Sequence, residues 1–239
     1  RLFQGDGSSG LTVTNNANAG DFKPDWLWIK NRTGTYQTRS HELMDSNRGA
    51  NKALEADDTE DEFTRSGTNS FNTNGFTVGD DYGVNPPSGT TSVAWQWKAN
   101  GGTTTTNDAS ATSVGTIDSV YQANTTAGFS IVTYTGTGSE GTIAHGLGAT
   151  PKMIIWKRRD SSANWSVQGT QSGIDTDRVE LVLNSNGAVS SADSRIGRQS
   201  QWSSTVFEVN NYTDQNADGG TYVAYCFAEI KGYSKFGSY

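Results

Sequence analysis

The chain has 239 residues, 33% of them hydrophobic, with 28 Gly, only 4 Pro and a mean hydropathy of −0.63; this polar composition suits short strands joined by many turns. A formal net charge of −7 and a pI near 4.8 repel phosphates and disfavour both a nucleic-acid partner and an anionic membrane surface. No apolar run approaches the ~20 residues of a membrane helix, so membrane insertion is not expected, and the single cysteine, Cys226, excludes an internal disulfide or a CxxC redox motif.

In chain order, the first pattern is Gly5-Asp6-Gly7-Ser8-Ser9-Gly10. It fits the dinucleotide spacing GxGxxG, but no helical period follows to present a helix N-terminus to a pyrophosphate, so it reads as a glycine-rich hairpin turn. Pro24 then opens a strand over Trp26–Ile29, apolar on both faces and therefore expected to be central in a sheet. His41 to Ala56 is the one stretch able to hold a short helix, with Ser46 as its cap and Gly49 inside it. The run Asp57, Asp58, Glu60, Asp61 and Glu62 reads as a solvated turn, because glycosidase carboxylates face each other across a cleft at ~5–10 Å. In the block 91–99, Val93, Trp95 and Trp97 alternate with Ser92, Ala94 and Gln96, as in a half-buried strand with its large side chains inward. Residues 100–127 open with the small polar run 100–114 and read as an exposed linker.

Beyond the linker the same blocks return in the same order. Gly136, Gly138 and Gly141 follow Gly5, Gly7 and Gly10 at a spacing of 131, and Pro151, Lys157 and Arg159 follow Pro24, Lys30 and Arg32 at 127. Phe207 and Val209 follow Phe76 and Val78 at 131, and the block 221–229 follows 91–99 at 130. Such recurrence predicts an all-β chain of two tandem, jelly-roll-like β-sandwich domains related by internal duplication, the first over 1–99 and the second over 128–239. Trp28 should then match Ile155, Trp95 match Tyr225 and Trp97 match Phe227, with Val223, Tyr225 and Phe227 buried.

Few residues in the second copy invite chemistry. Only His41 and His145 are histidines, which excludes a metal site with several imidazoles, and no serine stands in a GxSxG elbow. Cys226 has no basic neighbour in its strand and reads as a buried thiol. Asp214, Asn216, Asp218 and Gly219 match the opening of a calcium loop, yet the twelfth position, where a bidentate Glu is wanted, is Tyr225; a solvated hairpin loop is the favoured reading. The four Asn-x-Ser/Thr sequons, beginning at Asn31, Asn124, Asn164 and Asn211, are what a chain rich in these residues yields by chance. Catalytic, cofactor and metal residues are therefore not assigned. Aromatic residues outside the strand blocks, Tyr36, Tyr82, Trp202 and Tyr212, are the candidates for stacking on sugar rings, with cover of the core as the competing role for Trp202.

The blocks 128–138, 145–159, 204–211 and 221–239 resemble the repeat domains of tail-fibre-like and other virion proteins of tailed bacteriophages, particularly marine ones. Copy one departs from that pattern at Asn18-Ala19-Gly20-Asp21, where copy two has His145-Gly146-Leu147-Gly148. The resemblance implies an extracellular virion component of β-sandwich-like fold, and supplies no catalytic residues. Three functions follow as expectations: a fibre or adhesin module contacting a host-surface glycan or protein, a capsid-surface decoration protein without receptor contact, and, least favoured, a polysaccharide-degrading tailspike. Partners expected on the first reading are other virion proteins and further copies of the chain, a trimer by analogy with other phage fibres. The ending Gly232-Tyr233-Ser234-Lys235-Phe236-Gly237-Ser238-Tyr239 resembles Gly128-Phe129-Ser130-Ile131-Val132-Thr133-Tyr134, the strand that opens copy two, so the chain is expected to be a segment of a longer repeat fibre.

Overall fold

The computed structural model describes residues 1–16, 20–65, 69–169, 177–191 and 194–237. It is nearly all β, with several antiparallel sheets and no barrel, and divides into two compact units: Arg1–Asp58 with Glu62–Gly102, and Thr59–Asp61 with Thr103–Tyr239. Asn18 and Ala19 of the turn at which copy one departs lie outside the described residues.

The first unit holds β1 (Leu2–Gln4), β2 (Leu11–Thr14), β3 (Trp26–Asn31), β4 (Glu42–Asp45), β5 (Lys52–Glu55), β6 (Phe63–Thr64), β7 (Ser70–Asn72), β8 (Gly75–Val78) and β9 (Thr91–Trp97). Six of them form one sheet in the order β1-β9-β3-β4-β5-β6, and β2-β8-β7 form a second. Between the two sheets lies a core of Leu27, Ile29, Met44, Ala53 and Ala94 from the larger and Val13, Phe76 and Val78 from the smaller. This is a sandwich, each sheet covering the apolar face of the other.

The second unit holds β10 (Thr105–Asn107), α1 (Ala109–Thr112), β11 (Ser119–Asn124), β12 (Phe129–Thr135), β13 (Gly141–Ala144), β14 (Met153–Arg158), β15 (Ser166–Gly169), β16 (Val179–Val182), β17 (Ser190–Ser191), β18 (Val206–Val209), α2 (Thr213–Asn216) and β19 (Thr221–Phe227). Its sheets run β10-β11-β12-β19-β14-β15-β16-β17 and β13-β18. From β12 onward the strand order is that of the first unit, and the register recurs as well. Trp28 stands opposite Trp95 and Ile155 opposite Tyr225; Val13 stands opposite Phe76 and Ile143 opposite Phe207. Leu11 rather than Gly10 occupies the place of Gly141, each opposite the valine of its partner strand, Val78 or Val209.

Four expectations are corrected. The linker at 100–127 contains β10, α1 and β11: β11 pairs with β12 over its whole length, and Asp108 caps α1 by accepting from the Ala111 N–H. The possible helix from His41 to Ala56 is instead the hairpin β4–β5, turned at Ser46–Asn51, with Gly49 at φ +109. That turn is tied by the Asp45 carboxylate, which accepts from the backbone N–H groups of Asn47 and Arg48 and pairs with the Arg48 guanidinium. The two glycine-rich turns are not hairpins. Each carries the chain from one sheet to the other, and a Cβ at Gly5 would meet the Pro86 carbonyl oxygen at 2.0 Å.

The fourth correction concerns the faces of β9 and β19. The inter-sheet core takes Ala94 in the first unit and Tyr222, Ala224 and Cys226 in the second, so Val93, Trp95 and Trp97 point away from it, as do Val223, Tyr225 and Phe227. Val223 and Tyr225 are nevertheless fully buried and Phe227 half-buried. On the corresponding face of the first unit the aromatic side chains form a ladder. Trp26 lies 4.4 Å from Trp97 and 5.9 Å from Trp28 between ring centroids, and the Trp28 indole N–H donates to His41 Nδ1 at 2.8 Å.

Candidate functional site

Of the four aromatic candidates, the structure brings two together. Tyr36 lies in a single 3-10 turn, Thr35–Thr38, just after β3, and Tyr82 in the turn between β8 and β9. Their rings meet edge to face at 5.0 Å between centroids, although 46 residues separate them in the chain. Asn31, the buried last residue of β3, holds both loops at once: its amide donates to the Tyr82 carbonyl at 2.8 Å and to the Tyr36 carbonyl at 3.3 Å, and its Oδ1 accepts from the Ser92 hydroxyl. Lys30 adds a further tie by donating to the Gln37 carbonyl. A buried amide with three such bonds is expensive to disturb, so the ring pair is preformed.

Beside the rings, Arg39, Asp80, Asp81 and Tyr82 line an open cavity of about 330 Å³. Asp80 and Arg39 are exposed, whereas Asp81 is fixed: Oδ1 accepts from the Gly83 N–H at 2.8 Å and Oδ2 pairs with Arg65 at 2.7 Å. Arg65 in turn pairs with Glu42 and Glu55 and lies over the Phe63 ring at 4.4 Å. Burial pushes the Glu42 carboxyl up to about 8; the neighbouring charges of Glu55 and Asp81 act in the same direction, and Arg65 opposes them. The wall of the cavity is thus built on a partly buried charged network with Glu42 at its buried end. Asp81 has both oxygens engaged, which suits it to positioning rather than to proton transfer.

The other two candidates are placed elsewhere. Trp202 is 8% exposed, packs on Trp156 at 6.1 Å and belongs to the core of the second unit, so it is unavailable for stacking on a ligand. Tyr212 is half-buried; its hydroxyl donates to Glu180 Oε2 at 2.9 Å, and Arg195 lies over its ring at 5.3 Å. Sequence reasoning missed Arg39, Asp80 and Asp81, and the aromatic Tyr82 beside the Asp-Asp pair was the signal that could have found them.

The loop with the calcium-like spacing folds differently from such a site. Residues 213–216 form α2, where Asp214 accepts from the backbone and side-chain amide of Asn164, while Asn216 accepts from Thr137 N–H and donates to the Ser139 carbonyl. The two side chains serve different neighbours. Among the described residues no group of three or more His, Cys, Asp or Glu side chains is placed to hold a metal ion. His145 is fully buried, accepts from the Leu147 N–H at Nδ1 and donates from Nε2 to the Ser203 carbonyl; burial lowers it to about 4, so it is neutral. The Cys226 thiol is fully buried, and burial raises it far above the usual range. Among the described residues no helix is long and apolar enough to cross a membrane.

One family model matches residues 1–239, that of a domain of unknown function, DUF7483. No curated protein and no solved structure matches.

Proposed function

The chain belongs to the DUF7483 family, and from that premise we propose that it is a structural, non-enzymatic module of a virus-particle fibre whose Tyr36–Tyr82 corner binds a host-surface glycan. One observation carries the reading: a preformed tyrosine pair lies beside an open, shallow cavity lined by Arg39, Asp80, Asp81 and Tyr82 itself. Sugar rings present C–H groups on one side and paired hydroxyls at their edge. An aromatic ring takes the first, and planar carboxylate and guanidinium groups take the second. Two sandwich units of one strand order, read as a duplicated domain, hold such loops rigidly and suit a repeating fibre. The resemblance of the repeat blocks to phage tail-fibre-like proteins points the same way.

The test is binding of host-surface polysaccharide fragments by titration calorimetry. The chain binds, Tyr82→Ala and Asp80→Ala each weaken binding tenfold or more, and the melting temperature stays within about 2 °C because both side chains are exposed or partly so. Absence of binding, or binding that both variants retain, overturns the reading. Release of reducing sugar from the polysaccharide replaces it with the tailspike alternative.

A further inference from the structure

The charged groups around the tyrosine corner are not all engaged in the same way. Elsewhere in the first unit guanidinium and carboxylate groups take each other up: Arg48 pairs with Asp45 and Glu62, and Arg65 pairs with Glu42, Glu55 and Asp81. Arg39 and Asp80 differ. Both are exposed and line the open cavity beside the rings, and among the described residues neither the guanidinium of the one nor the carboxylate of the other has a hydrogen bond or an ion pair.

The main chain that carries them is pinned. The Arg39 N–H donates to the Tyr36 carbonyl at 3.1 Å, and the Arg39 carbonyl accepts from the Lys30 ammonium. Asp80 lies between two tied residues: the Gly79 N–H donates to Asn69 Oδ1 at 3.0 Å, and the Asp81 carbonyl accepts from the N–H groups of Val84 and Asn85 at 3.1 and 2.7 Å. One positive and one negative head group are thus brought to a single cavity on fixed backbone without being joined to each other. Tyr82, 42% exposed, stands two residues from Asp80 and lines the same cavity.

On the glycan reading above, from which this inference proceeds, we propose that the group selected at the corner is a sugar carrying both an amine and an acid group. A protonated amine suits the place between Asp80 and Tyr82, because it pairs with the carboxylate and is drawn to the face of the ring. The acid group, a phosphate or a carboxylate, takes two parallel N–H bonds from the planar Arg39 guanidinium. A neutral sugar leaves both charges without a partner. A sugar with an acid group alone meets Asp80 as well as Arg39.

The surrounding charges do not cancel this pattern. The Asp81 carboxylate is paired with Arg65 at 2.7 Å and accepts from the Gly83 N–H, so its charge is already met. Segment 30–39 supplies Lys30, Arg32 and Arg39 and no carboxylate, in a chain whose net charge is −7. An acid group is therefore drawn to this segment in preference to the surface at large. The cavity of about 330 Å³ lies at the lower end of the range for small ligands and holds one such sugar residue rather than several.

Four sugars that differ only in these two groups test this: glucose, glucosamine, glucose 6-phosphate and glucosamine 6-phosphate, titrated at low salt and slightly acidic pH and followed by the amide NMR shifts of Tyr82 and its neighbours. Amine and phosphate each tighten binding about fivefold or more, and salt at ~0.15 M reduces both gains. Arg39→Gln removes the gain from phosphate and keeps that from the amine, and Asp80→Asn does the reverse. Four equal affinities, all lost in Tyr82→Ala, overturn the charge selection and leave the glycan corner standing. Gains that survive in both variants overturn it too. No binding by any of the four also overturns it, and the glycan reading falls with it only if host polysaccharide fragments fail to bind as well.

Discussion

The strands β9 and β19 hold the same place in the same strand order, yet their outer faces differ: Trp95 is 46% exposed and its counterpart Tyr225 is 0% exposed. Around them the inter-sheet cores correspond position by position: Leu27 with Ile154, Ile29 with Trp156, Ala94 with Ala224, Phe76 with Phe207 and Val78 with Val209. Core volume is shared out differently, since Ile29 faces the smaller sheet where the second unit has Trp156. The inner faces tolerate such exchange because total packing, rather than any one side chain, sets the spacing of the sheets. Edges and outer faces are free to diverge. It is there that the first unit carries its indole ladder and its tyrosine corner.

If the correspondence of the cores is physical, the largest effects should come in equal pairs. Phe76 and Phe207 are each fully buried between the sheets of their own unit. Replacing either with Ala removes a ring from a close-packed core, at a cost of about 3–5 kcal/mol. Urea unfolding monitored for each unit checks this. A loss confined to one of the pair would show that the other unit is not held by its inter-sheet core.

A smaller effect should separate the outer faces. Tyr225→Ala removes a side chain with no exposure and costs about 3 kcal/mol, whereas Trp95→Ala removes one that is 46% exposed and costs about 1 kcal/mol or less at concentrations where the chain is monomeric. Equal costs would mean that Trp95 packs as tightly as its counterpart.

Much of this architecture was legible in the sequence, and the failures have identifiable causes. The repeat blocks marked the strands and their register, because large side chains at fixed spacing are what a sheet must align. Periodicity divided β9 into two faces but gave no sign of which one meets the second sheet. Ser92, Ala94 and Gln96 look like the solvent side, yet Phe76 and Val78 of the opposing sheet fill the space above Ala94. The strands β10 and β11 were hidden because their residues, such as Thr105, Thr106 and Gln122, carry little hydrophobic signal, and backbone pairing to β12 orders them. The tyrosine corner was half legible: both rings were singled out, but their meeting depends on Asn31, whose bonds to two distant loops leave no mark on local sequence.

A last contrast is in pH, where the two units should respond in opposite directions. Glu42 in the first unit is held by burial at about 8 against an ordinary value of 4.5, so between those pH values the folded unit binds a proton that the unfolded chain does not. Its contribution is fully present below about pH 4.5 and is lost as pH rises through 8. His145 in the second unit is lowered by burial from 6.5 to about 4, so there the unfolded chain binds the extra proton. Its contribution is fully present above pH 6.5 and is lost as pH falls through 4. Each kcal/mol so lost moves a melting midpoint by about 2–8 °C, and calorimetric scans from pH 4 to pH 9 separate the two trends. Glu42→Gln keeps the shape of the side chain without the proton, and should flatten the alkaline slope of the first unit while leaving the acid slope of the second in place. His145→Gln should do the converse. If Glu42→Gln leaves the alkaline slope intact, another group than the carboxyl behind the tyrosine corner titrates there.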